Sequence, residues 1–249
     1  MKFCVITPTE GLERYAVTGV HLVLPQVKNQ KYQKFYQKKR LEGETIILDN
    51  GAYEGIALPK DLMLAAIETY NPQIVVLPDL LLQAWHHTWE AAMTFIEECD
   101  EHLEGRELMY CPQSEPGELK AWYHGLYHML EDGIYLDWVG LPRALATHIY
   151  PNDPYIRVRI AEEIKERFPL IRLHALGMAA GNVHELPLLA GVGVKSIDSS
   201  APVWRGWNGY YLTDPKWPDY PVDFDIGPHY PRYDHIISAN LHLVGVTVT

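Results

Sequence analysis

Short apolar runs of strand length recur along the chain, and most stop abruptly at a polar or glycine-bearing group. Phe3 to Thr7 and His21 to Pro25 are the first two. Ile46-Ile47-Leu48 follows and ends in Asp49-Asn50-Gly51-Ala52-Tyr53. Ile74 to Leu77 runs into Pro78-Asp79, Glu107 to Tyr110 into Cys111-Pro112-Gln113, and Tyr135 to Val139 into Gly140-Leu141-Pro142-Arg143. Arg172 to Leu176 runs into Gly177-Met178, and Ser196-Ile197 into Asp198-Ser199-Ser200. Between them lie stretches of helical period. Pro59 to Tyr70 carries Leu62, Ala65, Ala66 and Ile67 on one side, and Asn71-Pro72 stops it. Gln83 to Cys99 and Pro116 to Leu130 follow, then Tyr155 to Phe168 with Ile156, Ile160, Ile164 and Phe168 every fourth residue, and a short helix over Asn182 to Leu189. The strand ends are spaced by about 20 to 40 residues, the length of a strand, a helix and two loops. That rhythm predicts the α/β class and a single (β/α)8 barrel over residues 1–249.

In such barrels the loops leaving the carboxyl ends of the strands build the site, so the residues at these stops are the candidates for chemistry. They are Asp49, Asp79, Gln113, Arg143 and Asp198, with Tyr53 nearby. His174 precedes the end of its strand. Three carboxylates converging on one mouth repel, which raises the pKa of at least one and suits it to acid/base work while another stays ionised. An ionised Asp facing a sugar carbon is a suitable nucleophile for glycosyl transfer; metal binding by clustered carboxylates is the competing chemistry. Gln113, Tyr53 and the glycine ends fit a flat, hydrogen-bonding ring better than a hydrated cation.

The chain length of 249 residues suits one such barrel, and neither the 47% hydrophobic nor the 21% charged content is unusual. No apolar run is long enough to span a bilayer, and the N-terminal segment reads as a strand rather than a signal peptide, so a cytoplasmic location and no membrane partner are expected. The net charge of −11 argues against a general polyanion-binding surface but leaves room for a local basic patch. One segment offers it: Lys28, Lys31, Lys34, Lys38, Lys39 and Arg40 interleave with Tyr32, Phe35 and Tyr36. The plainer reading is a surface helix with its rings in the core and its lysines solvated. Cys4, Cys99 and Cys111 lie far apart, so neither a disulfide framework nor a zinc knot is expected. His86 and His87, being adjacent, are expected to point to different faces. The glycines of 177–181 and 191–193 would let backbone amides approach a phosphate, or more simply end a helix. From Trp204 to Tyr233 aliphatic periodicity gives way to Trp, Tyr, Asp and several prolines, which predicts an irregular excursion over about 203–234. His235 to Val244 then returns as a helix or strand.

The ordered set Leu48-Asp49-Asn50-Gly51-Ala52-Tyr53-Glu54, Leu77-Pro78-Asp79, Pro112-Gln113, Gly140-Leu141-Pro142, Leu176-Gly177-Met178 and Ile197-Asp198-Ser199-Ser200-Ala201-Pro202 resembles the tRNA-guanine transglycosylase superfamily. It is most similar to the small phage-type paralogues that place 7-deazaguanines in DNA, and the resemblance spans about residues 20 to 206. It implies a TIM barrel in which Asp198 is the nucleophile that attacks the sugar C1′ and Asp49 the general acid/base. Asp79 and Gln113 would hydrogen-bond the base edge, Gly140 its carbonyl, with Leu141 and Gly177 beside them, and Tyr53 with Leu176 or Met178 would sandwich the ring. Arg205 would pair with a phosphate. The implied partners are DNA, with tRNA as the alternative, and a free 7-deazaguanine base; no cofactor is implied, and the oligomeric state is open.

The departures are specific. No cysteine follows Cys111, so the zinc-binding subdomain of the tRNA enzymes is lacking and no metal is expected. Asn50-Gly51-Ala52 stands where those enzymes carry Ser-Gly-Gly, and Pro142 has no N–H to donate. A barrel nucleoside or glycoside hydrolase using the same carboxylates, and a non-catalytic base-binding barrel within a larger complex, remain as alternatives.

Overall fold

The apolar runs pair side by side, each with its neighbours in sequence and all in one direction. The computed structural model describes residues 1–52, 58–131, 136–178, 182–215, 222–225 and 233–248. The strands are β1 (Lys2–Val5), β2 (Val20–Val23), β3 (Thr45–Leu48), β4 (Ile74–Val76), β5 (Glu107–Tyr110), β6 (Trp138–Pro142), β7 (Arg172–Leu176) and β8 (Ser196–Ser199). They form one parallel sheet in the order β1-β8-β7-β6-β5-β4-β3-β2, and β1 also lies beside β2. This is a nearly closed (β/α)8 barrel. Parallel strands wrapped by helices are covered on both faces, which is why these runs read as continuously apolar rather than alternating; β2, β4 and β6 are buried at every position.

The connecting segments supply the outer layer: α1 (Leu12–Tyr15), α2 (Gln30–Leu41), α3 (Lys60–Tyr70), α4 (Trp85–Leu103), α5 (Leu119–Glu131), α6 (Ile156–Arg167), α7 (Glu185–Gly191), α8 (Ala201–Trp207) and α9 (Asp234–Leu243). In α2 the Asn29 side chain caps the amino end by accepting from the Lys31 and Tyr32 amides. Its Tyr32, Phe35 and Tyr36 are buried while Lys31, Lys34 and Lys38 are exposed. In α6, Ile156, Ile160 and Ile164 form the buried stripe their spacing predicts.

Several boundaries differ from the pattern-based expectation. The expected strand Tyr135 to Val139 begins at Trp138 and runs through Gly140, Leu141 and Pro142. Those residues are ladder positions paired with His174, Ala175 and Leu176, so a motif that reads as a loop is strand. The Trp-rich excursion starts later than expected, because Ala201–Trp207 is helical with Pro202 in its first turn. His235 to Val244 returns as helix α9, packed against α8. His86 and His87 do not point apart: their rings meet edge-on at 4.2 Å, and both are exposed. Among the described residues no helix is long and apolar enough to cross a membrane.

Candidate active site

A parallel sheet puts the carboxyl ends of all its strands on one side, so the sequence candidates arrive at one mouth from different strands. Asp49 is the first residue past β3, its amide held by the Val23 carbonyl at the end of β2. Asp79 lies three residues past β4 and Gln113 three past β5, Gly140 and Leu141 lie within β6, Leu176 ends β7, and Asp198 is in β8. Gly177 and Met178 follow β7; Tyr53 lies outside the described residues. Asp49, Asp79, Gln113 and Asp198 are all buried. The Cys111 thiol sits among the three carboxylates: burial pushes it well above the usual thiol range, and Asp79, Asp49 and Asp198 push it further.

Asp79 is pinned from both sides. The Asn50 amide donates to its Oδ1 at 2.6 Å and to the Leu77 carbonyl at 2.7 Å, which ties the end of β3 to the end of β4. The Gln113 amide donates to Oδ2. Burial raises the Asp79 carboxyl to about 6, against the pull of these two amide donors. The Gln113 Oε1 is buried and has no hydrogen-bond partner among the described residues, so it is an acceptor left for something that enters the mouth. The Asn50 Oδ1 accepts from the Ala52 amide at 2.9 Å, closing the tight turn in which Gly51 takes φ 75°.

Asp198 is held differently. Its Oδ1 accepts the Gly177 amide at 3.1 Å and meets His174 Nε2 at 3.0 Å, while His174 Nδ1 meets the Ser196 hydroxyl at 2.7 Å. A carboxylate can only accept, so Nε2 carries a proton towards Asp198 while Nδ1 holds the Ser196 hydroxyl. Both bonds fall on one oxygen, and among the described residues Oδ2 carries no hydrogen bond. Gly177 reaches this position with φ 70°, a conformation a side chain would strain, and a Cβ there would press on Arg143 at 3.0 Å. Gly140 is required for room: a Cβ would lie 2.3 Å from the Cys111 sulfur and 2.9 Å from Leu176.

Beneath this rim lies an ion pair with no exposed surface. Arg157 of α6 binds Glu185 of α7 through two bonds of 2.9 and 2.6 Å, and its Nη1 donates to the carbonyls of Leu141, Leu176 and Gly177. It thereby fixes the ends of β6 and β7 that carry Gly140 and Gly177. Arg205, expected to meet a phosphate, is buried in α8 and donates from Nη1 to the Leu212 carbonyl at 3.0 Å. Ser196 and Arg157 are partners the sequence pattern does not single out, while Asn50 and His174 are named from it without these bonds. The alternation that faces Asp198 inward also faces Ser196 inward, but only the register, which pairs His174 with Ser196, joins them. Among the described residues no group of three or more His, Cys, Asp or Glu is arranged to hold a metal ion.

No protein-family model and no curated protein sequence matches the chain. Among solved structures the chain is similar to a putative fructose-1,6-biphosphate aldolase from Coccidioides immitis, at 11% identity over 83% of this chain and 75% of that one, with a TM-score of 0.51. It is also similar to KGPDC from Streptococcus mutans, at 14% identity over 83% and 88% of the two chains, with a TM-score of 0.49. A third is the glycerol uptake operon antiterminator regulatory protein from Listeria monocytogenes, at 10% identity over 80% and 92%, with a TM-score of 0.47. At identities this low the aldolase likeness shows the barrel fold and says nothing of the chemistry.

Proposed function

We propose that the chain is an enzyme of the base-exchange transglycosylase type, which replaces guanine in DNA by a 7-deazaguanine through a covalent glycosyl intermediate on Asp198. The observation that carries this reading is the division of labour among three carboxylates at one mouth. Asp198 has one oxygen fixed by two N–H donors and the other left for attack, Asp79 is pinned by amides, and Asp49 stands at the end of β3, the strand beside β4 that leads to Asp79. The six motifs that resemble the tRNA-guanine transglycosylases assign the same roles.

In the first step Asp198 Oδ2 bonds to C1′ as the bond from C1′ to the guanine nitrogen breaks, and Asp49 gives a proton to the departing base. In the second, the 7-deazaguanine returns a proton to Asp49 and its ring nitrogen displaces the carboxylate from C1′. The polymer stays intact throughout. Asp79 and the Gln113 Oε1 offer acceptors to the N–H edge of the base, and the Gly140 backbone stands where the resemblance puts the contact with its carbonyl.

Mass spectrometry of nucleosides from DNA incubated with the protein and a 7-deazaguanine tests the reading, with tRNA as a parallel substrate. Incorporation into DNA is expected; incorporation into tRNA alone transfers the activity to the alternative acceptor, and abasic sites without incorporation mean hydrolysis. Asp198→Asn is expected to abolish both exchange and the protein–DNA adduct on denaturing gels, because a carboxamide is a far poorer nucleophile. Asp49→Asn is expected to slow turnover by roughly 10²- to 10⁴-fold while base binding persists. An adduct formed by Asp198→Asn and not by Asp49→Asn would reverse the two roles.

A further inference from the structure

Going round the barrel from Asp198 on β8 to Asp49 on β3, the intervening strands are β1 and β2. The segments that leave their carboxyl ends, through α1 and into α2, enclose a cavity of about 330 Å³ on the outer surface. Its floor is apolar, made by Leu12 and Phe35, and Lys31, Lys34 and Lys38 line it with Gln30 and Glu13. The three lysines recur at helical spacing on the exposed side of α2, and the first is in the turn nearest the mouth. This is the basic segment of the sequence, in a chain whose net charge is −11.

We infer that this groove is the docking track for the phosphodiester backbone of the DNA strand whose base enters the mouth. The inference rests on the DNA-exchange reading and adds to it the surface that holds the polymer. Charge selects the occupant: three ammonium groups on one face, in an otherwise acidic molecule, suit a polyanion. Along α2 the span from Lys31 to Lys38 is about 10 Å, the rise of roughly three phosphates of one strand. The acidic neighbours do not close the track. Lys34 makes no ion pair among the described residues, and Lys38 reaches Glu42 only at 3.7 Å. Lys31 holds Glu10 at 2.9 Å with both side chains partly exposed, a pair weak enough for a phosphate to displace. Lys39, in contrast, turns away to Glu44 and Glu42 and is no part of the track. Beside the groove, Phe224 and Asp225 of the excursion are tied to the barrel, the Thr9 amide bonding to the Phe224 carbonyl and the Asn29 side-chain amide to Asp225. A strand lying in the groove is thereby directed towards the sector between Asp198 and Asp49.

The test is the salt dependence of DNA binding by fluorescence anisotropy. It compares the wild type, the triple variant Lys31→Gln/Lys34→Gln/Lys38→Gln, and a control with Lys60→Gln/Lys120→Gln/Lys195→Gln, exposed lysines on other elements. Each phosphate contact contributes roughly 0.9 to the slope of log affinity against log salt. The groove variant is expected to lose about 2 to 3 from the slope and the control less than one. A wild type that does not bind DNA, a groove variant with an unchanged slope, or a control that loses as much would each overturn the inference. An RNA hairpin in parallel separates the polymers, and tighter, groove-dependent binding of RNA than of DNA would also overturn it. The two proposals fail separately. DNA bound through the groove without base exchange refutes the transglycosylase reading alone, and unimpaired exchange by the groove variant refutes the track alone.

Discussion

His174 is fully buried and, with the Gly177 amide, holds one of the two oxygens of Asp198. With Ser196 holding Nδ1 and Asp198 holding Nε2, the imidazole ring and the carboxylate are each held in one orientation. His174→Phe is therefore expected to lower kcat with little change in KM for DNA, since it removes an orienting bond and not a substrate contact. His174→Gln, whose amide nitrogen takes the place of Nε2, is expected to recover part of the loss. Equal damage from both, or a change in KM alone, would mean that His174 only fills space. A second expectation concerns Asp79. Its folded pKa of about 6 lies above the ordinary carboxylate value of 3.8, so the folded state binds the proton more tightly than the unfolded chain. Stability from this group is present at low pH and falls as pH rises from about 4 to above 6, by about 3 kcal/mol at 1.36 kcal/mol per unit. Urea unfolding over that window is expected to show the decline, and Asp79→Asn to flatten it. A wild-type profile equally flat would contradict the buried carboxyl.

At the scale of elements, the mouth is held by side chains that cross between them. Asn50 links the ends of β3 and β4, and Arg157 links α6 and α7 to the ends of β6 and β7. Arg157→Met strands the Glu185 charge in a site with no exposed surface and takes a donor from the carbonyls of Leu141, Leu176 and Gly177, of which Leu176 keeps the Arg143 amide. Removing one partner of such a pair costs about 3–5 kcal/mol, measurable as a lower urea midpoint. Arg157→Met/Glu185→Leu is expected to regain much of that stability because no charge is then left unpaired. Exchange is expected to stay impaired in the double variant, since Gly177, whose amide holds Asp198, has lost its anchor. Full activity there would show that the rim needs no such support. The same scale explains why some motifs misled. The pattern places Gly140-Leu141-Pro142 past the end of its apolar run, but Gly140 is a strand residue that leaves room for the Cys111 sulfur, and Pro142 stands where the strand ends.

Across the barrel the three cysteines lie apart, on β1, in α4 and just past β5, each buried and free, so no thiolates are gathered to hold a metal. Chelation is expected to leave the melting temperature and exchange unchanged; one zinc per chain by elemental analysis would contradict this. The barrel itself was legible in the order of residues. Apolar runs bounded by polar stops, alternating with helical stripes such as Ile156, Ile160 and Ile164, follow from burial on both faces of a parallel sheet and on one face of each helix, and burial is a local demand that each segment meets in its own composition. The places of Asp49, Asp79 and Gln113 just past the ends of β3, β4 and β5 were legible for the same reason, whereas Asp198, expected past its apolar run, lies within β8. What periodicity does not encode is which neighbour a side chain meets. The pairing of His174 with Ser196, the reach of Arg157 to three carbonyls, the seat of the Cys111 sulfur against Gly140 and the turn of α2 that lines three lysines along one groove all depend on strand register and helix packing. These are set by residues about 15 to 30 positions apart in the chain, and only the folded barrel brings them within bonding distance.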